Sequence, residues 1–295
     1  MNKTYDEGEA NGEETLFLAI NGIPIYFSED WTTGIGGGLW STGLAMAKYF
    51  QRHAGSVVDN LKCLSKVKYL QQTTIYPSNN RQQTNDIITP DGISAMELGS
   101  GNGFLSVCLL ALAAQQNISL MELVVTDMAD HLALMAKTLN ANPHVWDQLT
   151  VIEPCNGNNA KSEVISGRLS QTKHSVDNQK QQTSTNVIVA EHIWGEFPLN
   201  KSSSADGDIH NKKYDFIFGT DLAYRNSLHE PLTASLLHFS HQHTLCLIGV
   251  TMTDTQPAFF DVLTKAGFRY EKLADHLLEK EFRGSNFGII AIQRR

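Results

Sequence analysis

The stretch from Ile93 to Gln116 restricts the fold more than any other part of the chain. Ile93-Ser-Ala-Met-Glu-Leu98 is a short, largely apolar run suited to a buried strand. Gly99-Ser-Gly-Asn-Gly103 breaks it, and Phe104 to Gln116 reads as a mostly apolar helix. A strand feeding a helix through a glycine turn opens a βαβ unit. The glycines let the backbone bend tightly and approach a ligand at the positive end of the helix. A dinucleotide fingerprint needs its third glycine at the sixth position. Counted from Gly99, the sixth residue is Phe104, and the spacing is G-x-G-x-G with Glu97 two residues ahead. That argues against a nicotinamide cofactor. A strand-to-helix turn with no ligand is the plain alternative.

The alternation continues beyond this unit. Leu123 to Thr126 predicts a strand ending at Asp127, and Leu132, Met135 and Leu139 fall at helical spacing within 129–140. Further strands are expected at 187–190, 214–219 and 244–250, helices at 228–240 and 257–266, and a closing strand at 287–292. Such alternation means an α/β fold, a mostly parallel sheet with helices on both faces, and a strand pair after Gly267 is free to turn antiparallel at the edge. Ahead of it, Leu16–Ile20 and Ile23–Phe27 around Asn21-Gly22 form the pattern of a β-hairpin with a type I′ turn. Glycines 34, 36, 37 and 38 then lead to Trp40 and a helix over 42–50. The expected organisation is a disordered acidic tail at 1–14, a separate hairpin-and-helix unit at 15–52, and a core at 53–295. Segments 71–89, 156–186 and 200–213 are rich in Gln, Asn, Ser and Thr and have no strand or helix period, so they read as partly disordered insertions in the core.

Composition excludes several classes. With 31 acidic residues against 23 basic ones the formal charge is −8, the wrong global field for a nucleic-acid binder. The four cysteines are far apart without a C-x-x-C pair, which disfavours a zinc site, a redox motif or a disulfide framework. No signal peptide is legible at the N-terminus, and the longest apolar run, 104–114, is too short to span a bilayer. The expectation is an intracellular monomer in the cytoplasm, with the nucleus as a second compartment, and with neither nucleic acid nor membrane as partner.

Asp127 strengthens the case for a ligand, since a carboxylate after the second strand can accept hydrogen bonds from both ribose hydroxyls of a nucleoside. Its bland alternative is a helix N-cap. Glu97, the glycine turn and Asp127 occur in order on consecutive strand ends, which favours ligand binding.

Here the chain resembles a known family. Glu97-Leu-Gly-Ser-Gly-Asn-Gly103 is similar to the first motif of class I, seven-β-strand, S-adenosylmethionine-dependent methyltransferases. Three further pieces resemble the protein-lysine methyltransferases among them. They are Gly37-Gly-Leu-Trp40-Ser-Thr-Gly-Leu-Ala-Met-Ala-Lys-Tyr-Phe50, Glu191-His-Ile-Trp194-Gly-Glu196, and Phe218-Gly-Thr-Asp221-Leu-Ala-Tyr224, which matches their Asp-x-x-Tyr motif. The resemblance implies a Rossmann-like seven-stranded sheet and S-adenosyl-L-methionine as cofactor. The acceptor it implies is a lysine of a non-histone protein such as a chaperone or an elongation factor.

Carried over residue by residue, the resemblance puts Gly99, Ser100 and Gly101, with Glu97 ahead of them, beneath the methionine part of the cofactor. Asp127 would hold the ribose and Trp194 would lie beside the adenine. Thr220 would line the pocket, Trp40 would close it, and Asp221 and Tyr224 would border the entrance for the target amine. Where the family often carries an acid before the tryptophan, this chain has Ile193. Without the other motifs, Trp40 and Trp194 would read as core aromatics and Met128 as packing. His238, His241 and His243 read as a solvated helix end with no acidic ligand nearby rather than a metal site. Open alternatives are an arginine, histidine or small-molecule acceptor, and a non-catalytic binding module on the same fold.

Overall fold

The computed structural model describes residues 4–5, 16–53, 55–57, 59, 92–116, 118, 120–145, 148–152, 164–168, 185–197, 209–255, 257–284 and 286–295. Segment 71–89 lies outside them, as does most of the tail and of the other two polar segments.

Strands β2 (Leu16–Ile20) and β3 (Ile23–Phe27) form the expected hairpin, and β1 (Thr4–Tyr5), within the tail, pairs antiparallel with β2. Asn21 and Gly22 have φ of 51° and 81°, the two positive values that a type I′ turn requires. Helix α1 covers 41–53 and continues at 55–57. The alternating part follows as β4 (Ile93–Leu98), α2 (Phe104–Gln115), β5 (Leu120–Asp127) and α3 (Leu132–Asn140). After β6 (Gln148–Ile152) and β7 (Val164–Arg168) come β8 (Asn186–Glu191), β9 (Tyr214–Thr220) and α4 (Asn226–Phe239). The chain ends with β10 (Ser240–Thr251), α5 (Pro257–Lys265), β11 (Phe268–Lys272) and β12 (Phe287–Arg294).

The main sheet has seven strands in the order β11-β12-β10-β9-β4-β5-β8. All neighbours from β8 to β10 are parallel, and β12 is antiparallel to both β10 and β11. Only β12 therefore runs against the rest; β11 points the same way as the core strands. The order reverses beside β4, and the crevice outside the carboxyl ends of strands at such a reversal is where open α/β sheets bind ligands.

Both faces of the sheet are covered, which explains the nearly unbroken apolar strands. Ala95, Val125, Phe216, Phe218 and Leu247 face a core shared with α1, α2 and the hairpin. Met96, Val124, Ile217 and Ile248 face α4 and α5 through Leu232, Leu236, Phe259 and Leu263. The hairpin and α1 are thus not a separate unit. Their Ile25, Phe27, Met46 and Phe50 are buried in the main core, because a hairpin and one helix have too little apolar surface to close on themselves. Helix α2 lacks a polar stripe for the same reason. It is buried under the sheet on one side and β3 on the other, with Phe27 edge-on to Phe104 at 5.1 Å. The edge of β3 is satisfied by the buried Asn142, which accepts from the Tyr26 N–H at 2.8 Å and donates to its carbonyl at 2.7 Å.

Two further expectations are corrected. Part of segment 156–186 is a strand, since Val164–Arg168 pairs antiparallel with Gln148–Ile152; its β-branched start, Val164-Ile165, supplies the only local cue. Strand β10 begins four residues early because Ser240 already pairs with Tyr214 ahead of a bulge. His241 and His243 therefore lie on a strand rather than at a helix end.

Candidate active site

The glycine turn is shaped by its own backbone needs. Gly99, Gly101 and Gly103 have φ of 60°, 62° and 82°, so every second residue sits in the left-handed region that L side chains disfavour. The Ser100 N–H donates to the Thr126 carbonyl at 2.9 Å, which ties the turn to β5. Beneath it lies Glu97, only 2% exposed, whose Oε2 accepts from the Ser100 hydroxyl at 2.7 Å and from the Ser106 hydroxyl. Burial pushes the Glu97 carboxyl up to about 7, against the pull of Ser106 and Ser100.

Asp127 closes the other side of the turn. Its Oδ2 accepts from the Gly101 N–H and its Oδ1 from the Met128 N–H, both at 2.7 Å. Each oxygen keeps a second lone pair for a ligand hydroxyl. Burial raises this carboxyl as well, opposed by the neighbouring His131, whose Nδ1 lies 3.3 Å from Oδ1. Trp194 stands across the gap, its ring 3.0 Å from where a Cβ on Gly99 would sit.

The segment before α1 forms the next wall. Gly36 presses its carbonyl onto the turn, so a Cβ on Gly101 would stand 2.4 Å from that oxygen. The Trp40 indole donates to the Ile35 carbonyl at 2.8 Å and meets Trp31 edge-on at 6.0 Å. At 44% and 56% exposure neither tryptophan is a core anchor, and of the two only Trp40 lines the cleft.

Just after β9, Asp221 has φ 55°, an uncommon value for a non-glycine residue. It is anchored rather than free. Its N–H donates to the Gly249 carbonyl at 2.9 Å, and its carboxylate accepts from Thr251 Oγ1 at 3.0 Å and from the hydroxyl of Thr42 in the first turn of α1. Burial pushes its carboxyl up to about 6, against the Thr251 hydroxyl and with the charge of Asp254. Tyr224 is half-buried, with the Arg225 guanidinium 5.3 Å from its ring centroid.

Trp40, Glu97, Gly99, Ser100, Gly101, Asp127, Trp194, Thr220, Asp221 and Tyr224 all line one cleft of about 970 Å³. That is room for a nucleoside-sized ligand and more. Gly36, Thr42, His131, Thr251 and Asp254 also line it and were not legible as site residues. The glycine run from 34 to 38 was visible, but nothing local says that it folds onto Gly101.

The histidine cluster is placed differently from expectation. His241 Nε2 lies 3.2 Å from Asp215 Oδ1, so an acid is near after all, and His238 stacks on Phe197 at 4.0 Å. Among the described residues no group of three His, Cys, Asp or Glu side chains is arranged to hold a metal ion. No helix among them is long and apolar enough to cross a membrane.

A sequence profile described as lysine methyltransferase matches residues 20–170. No curated protein matches the chain. Among solved structures, it is similar to a ribosomal protein L11 methylase from Lactobacillus delbrueckii subsp. bulgaricus, with 14% identity, 72% of this chain and 73% of that one covered, and a TM-score of 0.39. A TehB-like SAM-dependent methyltransferase from Corynebacterium glutamicum shares 12% identity over 78% of this chain and 98% of its own, at a TM-score of 0.38. A SAM-dependent methyltransferase from Aquifex aeolicus shares 13% over 69% and 83%, at 0.40.

Proposed function

The chain belongs to the lysine methyltransferase family and uses S-adenosylmethionine as methyl donor, and from that premise we propose that its acceptor is the ε-amine of a lysine in a folded non-histone protein, of the chaperone or elongation-factor kind. The residues fit the donor. The glycine turn exposes backbone where a ligand must come close, Asp127 keeps lone pairs for two ribose hydroxyls, and Trp194 offers a flat wall for a purine.

The observation that supports the acceptor class is that Asp221 and Tyr224 line the same cleft as the glycine turn and Asp127. The bound donor supplies an electrophilic methyl on a sulfonium, so the protein's task is positioning. An attacking amine must lie within about 3–3.5 Å and in line. A lysine arrives as an ammonium with a free pKa of about 10.4 and attacks only once deprotonated. With its carboxyl near 6, Asp221 is mostly ionised at neutral pH and attracts the incoming cation. Its hydroxyl partners Thr42 and Thr251 fix where that charge sits. Tyr224 orients the neutral amine through its phenolic oxygen, and Trp40, which lines the same cleft, closes it from the side of α1.

Incubation with labelled S-adenosylmethionine and cell extract, followed by peptide mapping of the labelled protein, tests the proposal. Label on a lysine is expected. Label on arginine, on histidine or only on a small molecule refutes the lysine acceptor while leaving the methyl transfer intact.

A further inference from the structure

Helix α4 and the turn that follows β8 meet at one hydroxyl group. The His192 N–H donates to the Asp127 carbonyl at 2.9 Å, so the turn leaves the sheet in fixed register with the end of β5. The His192 ring is buried, and its Nε2 lies 2.9 Å from Ser235 Oγ in the middle of α4. The Gly195 N–H donates to the same oxygen at 3.0 Å. An amide can only donate, so the Ser235 oxygen accepts from Gly195, and the same hydroxyl is shared with His192 Nε2. The imidazole is held neutral. Its surroundings agree, with Phe239 edge-on at 4.9 Å and His210 at 5.5 Å; burial above all, with His210 and His238, lowers its pKa to about 4. Gly195, at φ 80°, is pressed against α4, and a Cβ there would stand 3.2 Å from Pro231 Cα. Between these two pinned residues lie Ile193 and Trp194, and Trp194 reaches across to Gly99.

We propose that Ser235 and His192 are positioning residues for the cofactor: one hydroxyl pins both ends of the 192–195 turn and thereby sets the width of the slot between Trp194 and the glycine turn. Neither residue need touch the ligand for this. The inference rests on the assignment of the cleft to S-adenosylmethionine. Because the register bond from His192 runs to Asp127, the latch also holds the adenine wall and the ribose acid in one spatial relation.

Titration calorimetry of the full chain with S-adenosylhomocysteine tests it. Ser235→Ala should weaken binding by roughly five- to twentyfold, and the intrinsic fluorescence change on binding, to which Trp194 contributes, should shrink with it. In a Trp194→Ala background the same change should add almost nothing, because the latch acts through that ring. A purely structural serine would lower the melting temperature and cost the same factor in both backgrounds, which would overturn the inference, as would unchanged affinity in Ser235→Ala. Ser235→Cys keeps the volume with a weak donor and should change affinity in the same direction if the alanine variant does not fold. Failure of the wild-type chain itself to bind S-adenosylhomocysteine would sink the cofactor assignment and the latch with it, whereas normal wild-type binding with an unaffected Ser235→Ala removes the latch alone.

Discussion

Glu97 makes a stability prediction that needs no substrate. The carboxyl lies under the glycine turn, 2% exposed, and burial pushes it from 4.5 up to about 7 despite the Ser106 and Ser100 hydroxyls, with Asp127 adding to the rise. A carboxyl raised in the folded state favours folding in its protonated form. Its contribution is complete below the unfolded value near 4.5 and is lost as pH climbs through the folded value near 7. A rise of that size corresponds to about 3 kcal/mol over the whole window, most of which falls between roughly pH 5 and 8. Glu97→Gln keeps the shape and an amide oxygen for the two serines but cannot ionise. Urea unfolding of both proteins without cofactor should show the variant gaining on the order of 2–3 kcal/mol on the wild type from about pH 5 to pH 8, whatever the offset at the acid end. Asp127 and Asp221 are raised too, but they titrate in both proteins and cancel to first order. Parallel stability curves across this range would refute the claim that burial holds Glu97 near neutrality.

If Asp127 accepts from the ribose hydroxyls as proposed, Asp127→Ala should weaken S-adenosylhomocysteine by about 3 kcal/mol, on the order of a hundredfold, in calorimetry. Equal affinity in the two proteins would contradict the ribose role. Gly101→Ala forces a φ of 62° on an L residue, at about 1–2 kcal/mol, and drives a methyl onto the Gly36 carbonyl. It should lower both the melting temperature and cofactor affinity, and a melting curve like the wild type's would count against the packing of Gly36 on the turn. Tyr224→Phe should reduce labelling of the acceptor by tenfold or more while leaving S-adenosylhomocysteine affinity within about twofold. Loss of cofactor binding in that variant would place Tyr224 with the cofactor rather than the acceptor.

Much of this protein was legible because its signals are local. The left-handed conformation that Gly99 and Gly101 adopt is a property of each residue, and it shows in the spacing before any partner is known. The positive φ of Asn21 and Gly22 shows in the same way, and the apolar strand Ile93–Leu98 was legible to the residue. Asp127 could be singled out because a strand's end is itself a local feature. What the chain order cannot carry is which elements cross. Thr42 and Asp221 are 179 positions apart, yet they share a hydrogen bond because α1 starts over the end of β9. Gly36 lies on Gly101 because the hairpin and α1 find their apolar cover only in the main core. Ser235 looks like one of several polar residues of α4 until the helix packs beside the end of β8 and brings it to His192. The sequence by itself determined a mostly parallel α/β sheet and the residues that stand at its strand ends. Only the tertiary structure decided which side chains hold them there, because those contacts arise from the packing of elements distant along the chain, and no residue type or spacing along it encodes that packing.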